Sequence, residues 1–173
     1  MTTQAAPRIA NSAAERVAAP IDARLVPWIA FIRAHAAVYR TLEAELQADQ
    51  ALSLADYDAL VQLALAGRRR LRMSELADRM VLTRSGISRL VDRLAAYGYV
   101  ERQACPTDAR GAFAALTETG LRRLRDASPT HLRGIDEHFL AAIPESDRDA
   151  FMRVLGGILA ASVAPASEDP AAS

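Results

Sequence analysis

The sequence predicts a mainly α-helical fold that contains one small β-hairpin. Apolar residues recur every three or four positions in both outer parts of the chain, which is the period of one helical face. The middle part holds two short helical segments around a tight turn, followed by two short strand-like segments. With 173 residues, the chain has the length of one domain and buries enough surface to fold without disulfides or structural metals.

The first predicted helix covers residues 21–48 and the second follows Ser53, which has Asp56 three positions later as a helix start requires. Gly67 is expected to end the second helix. The apolar face of the first helix contains Leu25, Trp28, Ile32, His35, Tyr39, Leu42 and Leu46.

The middle part begins with a brief strand at residues 70–73 and a two-turn helix at residues 74–80. After a tight turn at residues 81–82, Thr83 is a favourable N-cap for a helix that ends at Gly98. Strands at residues 99–104 and 112–116 form a hairpin, and residues 105–111 form its polar connection.

Two further helices complete the chain. Thr117 caps one that reaches about residue 140, and Pro144 opens another that reaches about residue 163. Residues 1–20 and 164–173 are rich in Ala, Ser and Pro without an apolar period, so we expect two flexible tails.

The charge of the chain is segregated although its formal net charge is zero. Residues 68–125 contain 13 arginines and six acidic residues, a local charge of +7, and the rest of the chain carries 8 basic and 15 acidic residues. Every basic residue is arginine, whose guanidinium suits bidentate recognition of phosphate and guanine. The basic middle part therefore indicates nucleic-acid binding by a neutral chain.

Two short helices and a hairpin in this order predict a winged helix-turn-helix, whose second helix enters the major groove of DNA. The second helix has an apolar face of Ile87, Leu90, Val91 and Leu94, and the opposite face carries Arg84, Ser85, Ser88 and Arg89. Asp108 and Arg110, at the hairpin tip, would present a cation to the minor groove. The competing interpretations are a solvated helix face and an ordinary surface ion pair.

These residues resemble the MarR family of bacterial transcriptional regulators. The similar segments are RMSELA (72–77), TRSGISRLVDRL (83–94), GYVER (98–102), PTDARG (106–111) and LTETG (116–120), with Thr83 among the expected DNA contacts. The resemblance covers residues 21–163, with residues 53–117 as the winged helix-turn-helix lobe and residues 21–48 and 118–163 as dimerisation helices. It implies a homodimer that binds a pseudo-palindromic double-stranded DNA operator. The wide apolar faces at both chain ends favour such a two-fold partner independently.

Members of this family commonly sense small anionic aromatic molecules between the dimerisation helices and the DNA-binding lobe. The resemblance therefore implies a repressor relieved by a small aromatic, phenolic or anionic effector. Candidate ligand contacts with suitable chemistry are Trp28, Arg33, His35, Tyr39 and Tyr57. Aromatic residues at helical spacing are equally typical of a core.

Three other functions receive less support from the sequence. Cys105, the single cysteine, could be a redox switch. A metal site is a second possibility, but His131 and His138 lie two helical turns apart, about 10 Å. This distance is too long for both to bind one metal ion without a third element. A winged-helix module that binds protein instead of DNA remains an alternative. We find no catalytic constellation and expect no enzyme, cofactor or metal site. The lone cysteine and the absence of a membrane-length apolar run lead us to expect a cytoplasmic protein.

Overall fold

The computed structural model describes residues 22–80, 83–105 and 108–163, so the predicted tails (1–20 and 164–173) and the tight turn at residues 81–82 lie outside the described residues. The regular elements of the described residues are six α-helices and three β-strands: α1 (Val26–Gln50), α2 (Leu54–Leu65), β1 (Arg70–Arg72), α3 (Met73–Arg79), α4 (Arg84–Ala96), β2 (Val100–Cys105), β3 (Asp108–Leu116), α5 (Glu118–His138) and α6 (Arg148–Val163). This architecture confirms the predicted fold class.

The chain divides into two compact units between Ala37 and Val38, within α1. In the first unit, a short 3₁₀ turn at Ala23–Leu25 precedes the helix, and Asp22 accepts a hydrogen bond from the backbone N–H of Arg24 at 2.9 Å. The first half of α1 is exposed, including Trp28, whose ring lies 6.2 Å from that of Phe31. The predicted apolar face of this helix is therefore buried only at its far end.

The second unit contains the core, which the end of α1 shares with α2, α3, α4, α5 and the sheet. Its largest fully buried side chains are Leu46, Leu60, Leu63, Leu76, Ile87, Val91 and Leu94. They come from four consecutive helices, and the apolar spacing of each helix places them on one side. The helix-turn-helix is thus an integral part of the core.

The N-caps predicted from sequence are present. Ser53 accepts a hydrogen bond from the N–H of Asp56, Thr83 from that of Gly86 and Thr117 from that of Gly120, each at 3.0–3.1 Å. Short hydroxyl side chains satisfy the unpaired N–H groups of a first helical turn, so these helix starts are encoded locally.

Several helix boundaries differ from the expectations by a few residues. The first helix continues past residue 48 to Gln50 and ends where Ala51 adopts a positive φ of 46°. The second helix ends at Leu65, and a 3₁₀ turn at Gly67–Arg69 follows it. Near the C-terminus, a 3₁₀ turn at Glu145–Asp147 stands between Pro144 and α6, so that the last helix begins later than predicted.

The three strands form an antiparallel sheet with the order β1-β3-β2. Val100 pairs with Leu116 and Arg72 with Phe113, so the middle strand β3 is shared by both neighbours. The prediction that residues 105–111 form a connection is wrong for Cys105, which belongs to β2, and for Asp108 to Gly111, which belong to β3. Strand pairing extends β3 beyond its alternating apolar segment, with a register irregularity between Ala104 and Cys105.

Candidate nucleic-acid interface

Helix α4 has the two different faces that the sequence predicted. Ile87, Leu90, Val91 and Leu94 are buried against the core, and Ser85 and Arg89 are exposed on the opposite side. Gly86 and Ser88 are half-buried. A guanidinium on a helix face with small neighbours reaches outward without steric obstruction, which is the geometry that base-edge recognition requires.

Arg89 is the exposed cation of this face. No hydrogen bond or ion pair joins its guanidinium to another residue in the described part of the chain. Arg84 is the first residue of α4, and its side chain lies outside the described part. The structure thus places Arg89 on an open surface and places the backbone of Arg84 at the start of the same helix.

The start of α4 presents two hydroxyl groups. Thr83 Oγ1 accepts from the backbone N–H of Gly86 at 3.1 Å, and the hydroxyl oxygens of Thr83 and Ser85 lie 3.2 Å apart. Both residues are exposed. Hydroxyls beside a helix N-terminus are common partners of phosphate oxygens.

Sequence reasoning missed the residue that connects the hairpin to this helix. Arg102, on β2, donates from Nη2 to Ser88 Oγ at 2.9 Å and to the Ser88 carbonyl at 3.2 Å. Its Nε donates to Asp92 Oδ1 at 3.0 Å. One side chain therefore joins β2 to two successive turns of α4. An arginine in a strand has no sequence pattern that reveals such a partner.

The predicted hairpin residues occupy the strand β3. Asp108 is its first residue and Arg110 its third, whereas Cys105 is the last residue of β2. The side chains of these three residues lie outside the described part of the structure.

The edge strand β1 adds cations to the same sheet. The guanidinium carbons of Arg70 and Arg72 lie 4.9 and 5.5 Å from the ring centroid of Phe113. Arg70 also donates to Gln103 Oε1 at 3.3 Å. Cation–π contacts of this kind hold both guanidinium groups on one face of the sheet.

A cleft of about 530 Å³ brings together two of the five predicted ligand residues. Tyr39 and Tyr57 line it, together with Leu54, Ala55, Asp58, Val61, Met80, His131, Leu132 and Ile135. Tyr57 is buried and its ring lies 4.4 Å from that of His131. Burial lowers the pKa of His131, and burial with the charges of Glu43 and Asp58 raises the pKa of Tyr39.

The other three predicted ligand residues belong to the first compact unit. Trp28, Arg33 and His35 lie in the first half of α1 and are exposed. Stacking of His35 on Phe31, with ring centroids 6.4 Å apart, is a contact within that segment. Their aromatic and cationic chemistry is what favours them as ligand contacts.

A second cleft, of about 650 Å³, lies where α1 ends and α2 begins. Buried Asp56 accepts from Nη2 of Arg93 at 2.6 Å, and these hydrogen bonds raise the pKa of Arg93. Arg123 donates to the side chain and the carbonyl of Gln50. Both guanidinium groups therefore bind internal partners. Arg93 links α4 to α2, and Arg123 links α5 to α1.

One cluster has the donor types of a metal site. Atoms of Glu45, Glu137 and His138 lie within 4.8 Å of one another, and His138 Nε2 is 2.6 Å from Glu45 Oε1. His138 thus pairs with Glu45, while His131 lies in the cleft of Tyr57. Nitrogen and carboxylate donors suit Zn²⁺. Because Glu45 pairs directly with His138, however, the cluster links α5 to α1.

No helix of the described residues is long and apolar enough to cross a membrane.

Comparisons with known proteins agree with this geometry. A family model described as MarR family matches residues 52–111. The HTH-type transcriptional regulator MhqR of Bacillus subtilis (strain 168) is 37% identical over 65 residues, which are 38% of this chain and 45% of MhqR. The HTH-type transcriptional repressor YetL of the same organism is 32% identical over 111 residues, 64% of this chain and 66% of YetL. The chain therefore spans about half to two thirds of these relatives.

The fold is also found in solved structures. The crystal structure of Sco3205, a MarR family transcriptional regulator from Streptomyces coelicolor in complex with DNA, is similar with a TM-score of 0.77 and 34% identity. The similarity covers 89% of this chain and 96% of Sco3205. AbsC, a MarR family transcriptional regulator from the same organism, has a TM-score of 0.74 at 30% identity, covering 82% of this chain and 95% of AbsC.

Proposed function

We propose, because this chain belongs to the MarR family of transcriptional regulators, that it regulates transcription by sequence-specific binding to double-stranded DNA. The observation that carries this proposal is the outer face of α4, where Arg89 and Ser85 are exposed opposite a completely buried apolar face. The link from Arg102 to Ser88 and Asp92 supports it, since the hairpin and the helix are joined as one unit.

The proposed contacts follow from the chemistry of each group. Arg84 and Arg89 would hold guanine O6 and N7, an interaction that contributes about 1–3 kcal/mol of base discrimination. Thr83, Ser85 and Ser88 would donate to phosphates or base edges. On β3, Arg110 would enter the minor groove with its orientation set by Asp108.

The proposed assembly is a homodimer on a pseudo-palindromic operator. Large apolar side chains are exposed in the first half of α1 and separately on α6. These residues are Val26, Trp28, Phe31 and Ile32 in the first set, and Met152, Val154, Ile158 and Leu159 in the second. A second copy would cover such faces through a two-fold contact and place two α4 helices about one DNA turn apart.

The proposed regulation is repression relieved by a small aromatic ligand. Tyr39 and Tyr57 carry this part of the proposal because they line the cleft. A ligand that changes the spacing of the two DNA-binding lobes would alter operator affinity by about 5- to 150-fold, the usual range of allosteric coupling.

Selection of bound sequences from a random DNA pool, followed by fluorescence anisotropy titrations, tests the proposal. Arg84→Ala and Arg89→Ala should each relax base preference, while Arg110→Ala should weaken binding evenly across sequences. Arg125→Ala removes an exposed arginine from α5, outside the helix and hairpin, and serves as the matched control.

Salt dependence separates DNA binding from the protein-binding alternative. Affinity should decrease by about 10³-fold or more between 50 and 200 mM salt if the dimer makes about six or more phosphate contacts. A flat salt response, or unchanged affinity in all three arginine variants, would contradict the proposal.

A further inference from the structure

Resting on the ligand-responsive function proposed above, we propose that the cleft of Tyr39 and Tyr57 selects hydroxylated aromatic molecules that carry no negative charge. The carboxylate of Asp58 sets this selection. The family resemblance implied an aromatic or anionic effector, whereas the described lining of the cleft contains a carboxylate and no arginine.

The charges that line the cleft give the first argument. Its ionisable side chains are Tyr39, Tyr57, Asp58 and His131, so no arginine of the described residues lines it. Burial lowers the pKa of His131 and therefore keeps its imidazole neutral at neutral pH. The phenol of Tyr39 is likewise neutral, because burial and two nearby carboxylates raise its pKa.

Asp58 then supplies the negative charge of the cleft wall. Glu43 adds to the same field from α1, because its charge, like that of Asp58, raises the pKa of Tyr39. A carboxylate ligand would enter the cleft against like charge, and no arginine among its described lining residues could pair with it. A neutral ligand avoids this repulsion.

The hydrogen bonds around the cleft give the second argument. Ser128 Oγ donates its proton to the carbonyl of Leu124 at 2.7 Å, so the Tyr57 hydroxyl must donate to Ser128 Oγ, 3.2 Å away. The phenolic oxygen of Tyr57 therefore keeps only acceptor capacity. Because its proton is used internally, the Tyr57 hydroxyl has no donor to offer to a ligand carboxylate.

Asp58 offers acceptors as well. Gln62 donates to its Oδ1 at 3.3 Å, and Oδ2 has no hydrogen-bond partner among the described residues. A ligand hydroxyl matches such an acceptor, whereas a ligand carboxylate does not.

The remaining wall suits an aromatic ring. Val61, Met80, Leu132 and Ile135 are apolar, and the rings of Tyr57 and His131 are already packed 4.4 Å apart. A volume of about 530 Å³ lies within the range of small-molecule sites. Apolar walls together with the carboxylate of Asp58 define the proposed ligand class.

Calorimetric titration of the full chain with two probes of equal shape tests this selection. The probes are 4-hydroxybenzyl alcohol and 4-hydroxybenzoate, which share the ring and the phenol but differ in charge. The alcohol should bind at least about tenfold more tightly than the benzoate. The benzoate carboxylate and the Asp58 carboxylate, about 7 Å apart at an effective dielectric constant of about 20, repel each other by more than a tenfold change in the dissociation constant corresponds to.

Asp58→Asn removes the charge and keeps the shape, so the two dissociation constants should converge to within about threefold, a difference of under 1 kcal/mol. Asp126→Asn, an exposed position on α5 that does not line the cleft, should leave the ratio unchanged. Circular dichroism verifies that each variant folds.

Tighter binding of 4-hydroxybenzoate, a ratio insensitive to Asp58→Asn, or no binding of either probe at millimolar concentration would overturn the inference. The titrations with DNA need no ligand. Normal DNA binding with any of these three results therefore refutes the charge selection alone, whereas absent DNA binding refutes the proposed function.

Discussion

Arg102 Nη2 lies 2.9 Å from Ser88 Oγ, which joins the second strand of the hairpin to the middle of helix α4. The same guanidinium bonds to Asp92 one turn further along the helix. Both proposed DNA-reading elements consequently share one positioning side chain. Their relative placement depends on a polar contact at the surface rather than on the core alone.

Arg102→Ala should reduce operator affinity by about tenfold with little loss of stability. The contact positions the hairpin, while an exposed ion pair of this kind contributes only about 0–1 kcal/mol to folding. Fluorescence anisotropy and thermal unfolding measure the two effects, with Arg125→Ala as the control. Arg102→Lys should give an intermediate affinity because lysine lacks the planar fork. Wild-type affinity in Arg102→Ala would contradict this positioning role.

Leu159→Glu should convert a dimer into a monomer of about 18.7 kDa and weaken operator binding. Leu159 is 66% exposed on α6, and a charge there would lose its hydration in the proposed two-fold contact. Leu65→Glu is the matched control, because Leu65 is 77% exposed on α2. Sedimentation analysis distinguishes the states. An unchanged dimer in Leu159→Glu would place the interface elsewhere.

Gly120→Ala should destabilise the chain by about 2 kcal/mol or more, the upper range for overpacking. A methyl group there would clash with the Tyr99 carbonyl and lie 2.8 Å from Leu116 Cδ1. Gly67→Ala meets no atom within 4 Å and should leave stability within about 0.5 kcal/mol. Urea denaturation measures both variants. Equal stabilities would contradict the close approach of α5 to the segment before β2.

Stability should decrease as the pH falls below 6.5, and part of this decrease should disappear in His131→Gln. Burial lowers the pKa of His131 in the folded chain below its ordinary value of 6.5, although the Asp58 charge opposes this shift. The unfolded chain therefore binds the proton first, so the contribution is complete above pH 6.5 and is lost between 6.5 and the lowered pKa. Urea titrations at about pH 7.5 and about pH 5.5 measure this loss. His35→Gln, at an exposed position, should retain the full pH dependence.

The helix starts with a hydroxyl N-cap were predictable because their causes are local. Ser53, Thr83 and Thr117 cap helices at the predicted positions, and the buried face of α4 has the predicted members. The start of β3 was not predictable, since it depends on the pairing of Asp108 with Cys105 of β2 across a register irregularity. The partners of Arg102 were equally hidden, because Ser88 and Asp92 are 14 and 10 residues away.

The amino-acid sequence alone determined the order of the helices, the helix-turn-helix and the segregation of arginines, because caps and apolar periods act over a few residues. Tertiary structure alone decided which of the proposed ligand residues share a cleft and which groups surround them. Tyr39, Tyr57, Asp58 and His131 come from three helices, and their common environment arises only when those helices pack. Charge selection by such a cleft depends on burial and on neighbours distant in sequence, which no local pattern encodes.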